Sequence, residues 1–153
     1  MRIFSRLTVF LCVSLLLSLA LPAQTGANGS EQQLFSLVNR ARREQGLPVL
    51  RWNEALAAAA RRHAAVMAQH GVADHIFAGE PTLASRATQA GLHFSWLAEN
   101  VAQGPGIEGI HAEFQRSPNH RANMLDSDMD SIGIGVVERS GRLFAVEDFC
   151  KAK

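Results

Sequence analysis

Six histidines dominate the side chains able to do chemistry: His63, His70, His75, His93, His111 and His120. Neutral imidazole binds zinc and works as an acid or base near neutral pH. Spacing alone selects no site among them. There is no H-E-x-x-H pair and no Cys/His cluster. His63 and His70 share a face of one predicted helix, but two turns (~10 Å) separate them. His63, His70, His93 and His111 are read as core-edge or solvated rings. Asp126-Ser127-Asp128-Met129-Asp130 imitates the start of a calcium loop. Its sixth position is Ser131 instead of glycine and its twelfth is Val137 instead of glutamate, so an acidic turn before a strand is the better reading. Gly104-Pro105-Gly106 is a turn with no phosphate-loop lysine after it, and no G-x-S-x-G elbow exists. Ser117, His120 and Glu99 could in principle form a nucleophilic triad. However, Ser117 precedes Pro118, and serine at N-cap with proline at the first helical position is an ordinary helix start.

The elements that must hold these residues are mostly helical at first. Ser30 with Gln33 reads as a capping box for a helix over Glu31–Gln45, whose Leu34, Leu37, Val38 and Ala41 recur at helical spacing. Gly46 and Pro48 stop it. Asn53 caps a second, alanine-rich helix with Leu56, Ala60, His63 and Met67 near one face, ending at Gly71. Pro81 at a first-turn position starts a short third helix, ended by Gly91. Ile107 to Arg116 makes a fourth and Pro118 to Leu125 a fifth. The period then changes. Ile132, Ile134 and Val136 alternate with Gly133, Gly135 and Val137, a strand pattern. Leu143 to Phe149 is its partner across an Arg139-Ser140-Gly141 turn, and Leu97 to Gln103 is a third strand candidate. Helices first and a hairpin last predict α+β, or a layered α/β/α domain.

Composition bounds the function. The chain has 153 residues, 47% of them hydrophobic, and a formal charge of +1. Residues 1–23 read as a secretory signal peptide: Arg2 and Arg6, then the uncharged run Leu7 to Ala20, then Leu21-Pro22-Ala23 at the cleavage point. That run is shorter than the ~20 residues of a bilayer span. Residues 24–30 read as a flexible leader and 31–150 as one domain. Losing Arg2 and Arg6 takes the formal charge from +1 to −1. A near-neutral domain lacks the basic excess of a nucleic-acid binder, and nothing after Ala23 is long and apolar enough to span a membrane. Cys12 leaves with the signal peptide. Cys150 is then the one thiol, read as free, intermolecular or simply buried, so no internal disulfide is possible.

Several short motifs then fall in a recognisable order. Leu97-Ala98-Glu99-Asn100-Val101-Ala102 is followed by Ser117-Pro118-Asn119-His120-Arg121-Ala122-Asn123-Met124-Leu125. Leu37 to Arg42, Gly46-Leu47-Pro48, Leu50-Arg51-Trp52, Asp74-His75, Arg86 to Gly91, Ile132 to Gly135 and Val146 to Phe149 accompany them. Over residues 32–149 the chain resembles the CAP superfamily of cysteine-rich secretory, antigen 5 and pathogenesis-related proteins, in its bacterial branch. The resemblance implies a three-layer α/β/α sandwich with a central, mostly antiparallel sheet. It also implies a cleft of two histidines and two acids. By motif position these are His75, Glu99 and His120, with Ser117 where the second glutamate would be. In animal and plant members that glutamate follows a helix tryptophan, whose position Phe114 takes here, and Asn123 stands in place of the glutamine of their G-H-Y-T-Q motif. Some members bind zinc or another divalent ion through the two histidines, which makes Zn2+ the candidate cofactor and His75 and His120 its candidate ligands.

Three readings of the trio are open at this level. Glu99 and His120 could pair simply to close the loops at one end of the sheet. The cleft, with Ser117 and Asn123 beside it, could bind a cation or small polar ligand. Or it could catalyse metal-assisted hydrolysis of peptides or cell-wall material. Zinc catalysis normally takes three protein ligands and a water. With one acid missing, Glu99 would have to be the third ligand, which leaves no base. The expectation is therefore a secreted, extracellular or periplasmic binding module rather than an enzyme, with a ligand or partner the sequence does not name. Extracellular lipid carriage, known among some eukaryotic relatives, is the remaining class, and no large apolar stripe supports it.

Overall fold

The computed structural model describes residues 28–153. The expected signal peptide and residues 24–27 of the expected leader lie outside them. Helix α1 spans Gly29–Glu44, strand β1 Arg51–Trp52, α2 Glu54–His70, α3 Leu83–Gln89 and β2 Phe94–Gly104. Then come α4 Ile107–Arg116, α5 Pro118–Met124, β3 Ser131–Arg139 and β4 Arg142–Ala152. The sheet order is β1-β3-β4-β2, with β1 parallel to β3 and the other pairs antiparallel. This is the expected mostly antiparallel centre of an α/β/α sandwich. Among the described residues no helix is long and apolar enough to cross a membrane.

Alternation along the strands builds two cores. On one face Ile132, Ile134, Ala145, Phe149 and Ala102 pack with Leu34 and Val38 of α1 and Ile107, Ile110 and Phe114 of α4. On the other, Val101, Phe144 and Val146 pack against Ala60, Ala64 and Met67 of α2. Further along that face Cys150 meets Leu56 and Ala87. Cys150 is buried and free, which agrees with the buried reading. Gly133 and Gly135 let α2 lie directly on β3. A Cβ at Gly133 would come within 2.1 Å of the Ala57 nitrogen, and one at Gly135 within 2.3 Å of the Ala60 carbonyl carbon. Alanines on the helix and glycines on the strand are thus two halves of one close contact.

Local signals are mostly as expected, with corrections at the ends. The α1 capping box is Asn28 with Glu31, not Ser30 with Gln33. The helix therefore begins two residues early, because the Glu31 carboxylate reaches the Asn28 N–H at 2.9 Å. Asn53 caps α2, and Gly71 ends it in the left-handed region at φ 73°. Pro81 is not in the first turn of α3. Thr82 is the cap, its hydroxyl accepting from the Ser85 N–H, and Pro81 stands one residue outside. The hairpin turn is the two-residue Ser140-Gly141, both with positive φ, and Arg139 pairs with Arg142. Positive φ at both central residues matches the right-handed twist of the flanking strands. β1 was not foreseen. Two residues paired in parallel leave almost no periodic signal.

Candidate functional site

Glu99 and Asn100 lie side by side on β2 and point to opposite faces of the sheet, as strand alternation requires. Glu99 sits on the α2 side. Its neighbour across the pairing is Asp148 of β4, and that of Asn100 is Glu147. Two consecutive acids on one strand are thus buried in different layers.

His75 comes from the loop between α2 and α3, where its N–H is held by the Asp74 carboxylate at 2.7 Å. Its Nδ1–H donates to Glu99 Oε1 at 2.9 Å. The His75 side chain is 55% exposed and that of Glu99 only 4%, so the carboxylate orients the ring from below. The other Glu99 oxygen accepts from Arg86 of α3. His63 of α2 is 3.9 Å from the same oxygen. Behind them, the His63 ring faces Glu80 at 2.7 Å and the Asp74 carbonyl at 2.9 Å. His63 therefore differs from the expected core-edge or solvated ring. It is fully buried and anchors the loop that carries His75.

The charges divide the two facing acids. Burial works to raise the pKa of Glu99, but His75, Arg86 and His63 together outweigh it and hold Glu99 below the usual carboxylate range. Asp148 is pushed well above its usual value by burial, and by Glu99 opposite it. Neither Asp148 oxygen has a partner in hydrogen-bonding geometry. The two facing acids are thus pushed in opposite directions, Glu99 toward its ionised form and Asp148 toward its protonated one. The bond from Glu99 raises the pKa of His75.

His120 is the third residue of α5. Its ring stands edge-on to Phe114 at 5.1 Å, and its Nδ1 is buried without a partner. Burial lowers its pKa, and the charge on His75 lowers it further. The two expected histidines therefore sense each other, and His120 is a neutral ring. Ser117 caps α5, accepting from the His120 N–H at 3.5 Å. Asn123 donates through Nδ2 to the Glu99 carbonyl at 3.3 Å and to Asn100 Oδ1 at 2.9 Å. Asn100 in turn donates to the His120 carbonyl and to Glu147 Oε2, each at 3.0 Å. Asn100 and Asn123 are thus the stitches that hold α5, and His120 with it, against the sheet. Burial pushes Glu147 up to about 8, against the opposing pull of Asn100.

The structure brings His75 and Glu99 into direct contact and places His120 within electrostatic reach. Ser117 and Asn123 serve as cap and tie of α5. Sequence reasoning missed His63, Glu80, Arg86, Asp148, Glu147 and Asn100 as parts of this assembly. Arg86, Asn100, Glu147 and Asp148 all sit inside the recurring motifs, but motif order says nothing of charge pairing. Among the described residues, no group of three or more His, Cys, Asp or Glu is arranged to hold a metal ion. Both Glu99 oxygens are engaged, one by His75 and the other by Arg86, so Glu99 orients the His75 ring and is not placed as a third ligand. What remains for a cation is His75 Nε2 with the His120 ring, a two-imidazole set that suits an open site completed by water.

Comparison with known proteins agrees with the motif reading. Residues 35–149 match the cysteine-rich secretory protein family, CAP. The membrane protein YlbC of Bacillus subtilis (strain 168) is 29% identical over 127 residues, 80% of this chain and 34% of its own length. An extracellular protein of Bacillus anthracis containing an SCP domain is 28% identical, with a TM-score of 0.73, over 81% of this chain and 41% of that one. The chain thus spans a third to under half of these relatives. NaASP2, crystallised with Zn2+, shares the fold at 14% identity and a TM-score of 0.61, over 86% of this chain and 84% of that one. With three-quarters of its length matched and an α/β/α sandwich, the chain belongs to the CAP family of cysteine-rich secretory proteins.

Proposed function

We propose that this protein is an exported binding module. In this reading its cleft, formed by His75, Glu99 and His120, takes a divalent cation or a small polar ligand without turning it over. The observation that carries the proposal is the engagement of Glu99. One oxygen holds His75 and the other holds Arg86. A carboxylate–histidine pair of this kind fixes the ring and its tautomer, and turns Nε2 outward as a donor. His120 supplies a second neutral nitrogen. A bound zinc ion would act there as a Lewis acid toward an oxygen or nitrogen of the ligand, and water would complete its coordination.

The same geometry argues against hydrolysis. A general base needs a carboxylate within hydrogen-bond reach of substrate or its water. Both Glu99 oxygens are already bonded, and Asp148 is fully enclosed with its pKa pushed up by burial. Ser117, where the family's second acid would stand, is a helix cap. Export is supported by the N-terminal apolar run and by the extracellular B. anthracis relative. The Zn2+ in NaASP2 crystals supports zinc as the first ion to try.

The test is calorimetric titration of the purified protein with zinc, followed by desalting and elemental analysis. The expected result is one ion bound weakly, and lost in a His75→Ala/His120→Ala double variant that keeps its circular dichroism. Equal zinc binding by the double variant would overturn the site. Glu99-dependent hydrolysis of a peptide or glycan panel would overturn the non-enzymatic reading.

A further inference from the structure

A second surface feature lies at the other end of α5 from His120. Trp96 is 58% exposed, although it belongs to a sheet strand. The reason is local. The β2–β4 register slips between Phe94 and Trp96, so Ser95 is an extra residue. A bulge of this kind re-aims the neighbouring side chain. Trp96 then borders an open groove of about 580 Å3, with Ser95, Asp126, Asp128 and Lys151 as its other walls. That volume falls within the ~300–1,000 Å3 typical of small-ligand sites.

The walls are pre-set. The fully buried Arg42 of α1 donates to the carbonyls of Met124 at 2.8 Å, Asp126 at 2.9 Å and Met129 at 3.4 Å. One side chain from the core thus fixes the backbone of the turn that carries both aspartates. Asp126 Oδ1 accepts the Asp128 N–H at 2.8 Å, and Lys151 donates to Asp128 Oδ1 at 3.0 Å. Each carboxylate keeps an oxygen for a ligand. Nothing in the fold requires an indole on this surface, and the His75 cleft does not use it.

We infer that this groove is a saccharide-binding site, with Trp96 as the stacking platform and Asp126, Asp128 and Lys151 as the groups that bind hydroxyls. An indole face exposes a flat apolar surface that suits the C–H face of a pyranose ring. Paired acceptors and one ammonium donor around it match alternating hydroxyl groups. Two carboxylates against one lysine disfavour acidic sugars, so the ligand class is neutral or amino-bearing saccharides. A quaternary ammonium is the competing ligand for an aromatic beside acids. Such ligands are recognised by cages of several rings, and this groove has one. The inference does not rest on metal binding at His75 and His120.

The experiment is calorimetric titration of the purified protein with chitotriose, with its deacetylated trisaccharide and with phosphocholine. Tryptophan emission serves as a report on the site. At least one saccharide is expected to bind and shift the emission. Trp96→Ala is expected to weaken binding at least about tenfold. Trp96→Phe should retain most of it, and Asp126→Asn/Asp128→Asn should weaken it several-fold, with the melting temperature unchanged in all three. Equal affinity in Trp96→Ala would overturn the inference. So would no binding of either sugar up to about 10 mM, or a Trp96-dependent response to phosphocholine alone.

Discussion

Glu147 allows a quantitative test of how the layers around α5 are held. It is completely buried on the face covered by α1 and α4. Oε2 accepts from Asn100, and Oε1 has no partner. Burial raises its pKa from 4.5 to about 8. Folding therefore takes up a proton at any pH between those values. Because the folded state holds more protons, stability must fall as pH rises through this window, by about 1.4 kcal/mol per pH unit. Carried from 4.5 to 8, the shift amounts to roughly 5 kcal/mol, and about 3 kcal/mol of it has accrued by pH 7. Glu147→Gln keeps the shape and the acceptor for Asn100 but needs no proton. Its new amide N–H bonds lack partners, a pH-independent cost of about 1–3 kcal/mol. The slope is therefore the diagnostic quantity. Urea unfolding at pH 5, 6, 7 and 8 should show wild-type stability falling with pH. In the variant the fall should be shallower by about one proton. Asp148, raised in the same direction, keeps the variant's slope from reaching zero. Parallel stability curves would mean that Glu147 is ionised in the folded protein, and the account of this layer would be wrong.

Other expectations follow from single contacts. Gly133→Ala should abolish folding in expression and circular dichroism tests, since its Cβ would lie 2.1 Å from the Ala57 backbone nitrogen. Gly109→Ala on α4 meets nothing within 4 Å and should stabilise by about 0.5–1 kcal/mol in denaturant titration. Zinc affinity should weaken on acidification from above the ordinary histidine pKa, because Glu99 raises that of His75 and a proton then competes for Nε2. Isothermal titrations at several pH values check this, and a flat profile would count against His75 as a ligand. Cys150 is 1% exposed and its thiol is held protonated by burial, so a thiol reagent should reach it only in denaturant. Mass spectrometry of the labelled protein reads that outcome.

The fold was legible where local chemistry and global packing agree. Asn53, Gly71, Ser117-Pro118 and the Ile132–Val136 alternation each state an element boundary or a face in a few residues. The structure keeps all of them. Errors fell where two nearby residues could serve one role. Asn28 displaced Ser30 as the α1 cap because Glu31, at the third helical position, can also reach Arg61 of α2 at 2.8 Å. A tertiary ion pair thus chose between two adequate caps. β1 is legible only from its partner, since two residues carry no period of their own.

The site divides the same way. His75, Glu99 and His120 are separated by 24 and 21 positions, and only motif order connected them. What makes the trio chemically definite came from residues that bear no motif of their own chemistry. His75, Arg86 and His63 hold the pKa of Glu99 down beneath the surface, while burial and Glu99 itself push that of Asp148, opposite it, up. Sequence distance cannot show which of several acids will be charged, because ionisation is set by burial and by partners folded in from other elements. The second acid that the family resemblance implies, with Ser117 in its place here, is therefore not made good by the other acids nearby. Asp148 and Glu147 are both fully enclosed with their pKa values pushed up by burial, and neither can reach a ligand. Ser117→Glu would put an acid on the α5 side of the proposed cleft, in the same turn as His120. If binding is limited by a missing ligand group, Ser117→Glu should tighten zinc binding while the Ser117 cap is lost. If Glu99's orientation of His75 is the dominant factor, affinity should stay where it was and only the stability of α5 should fall.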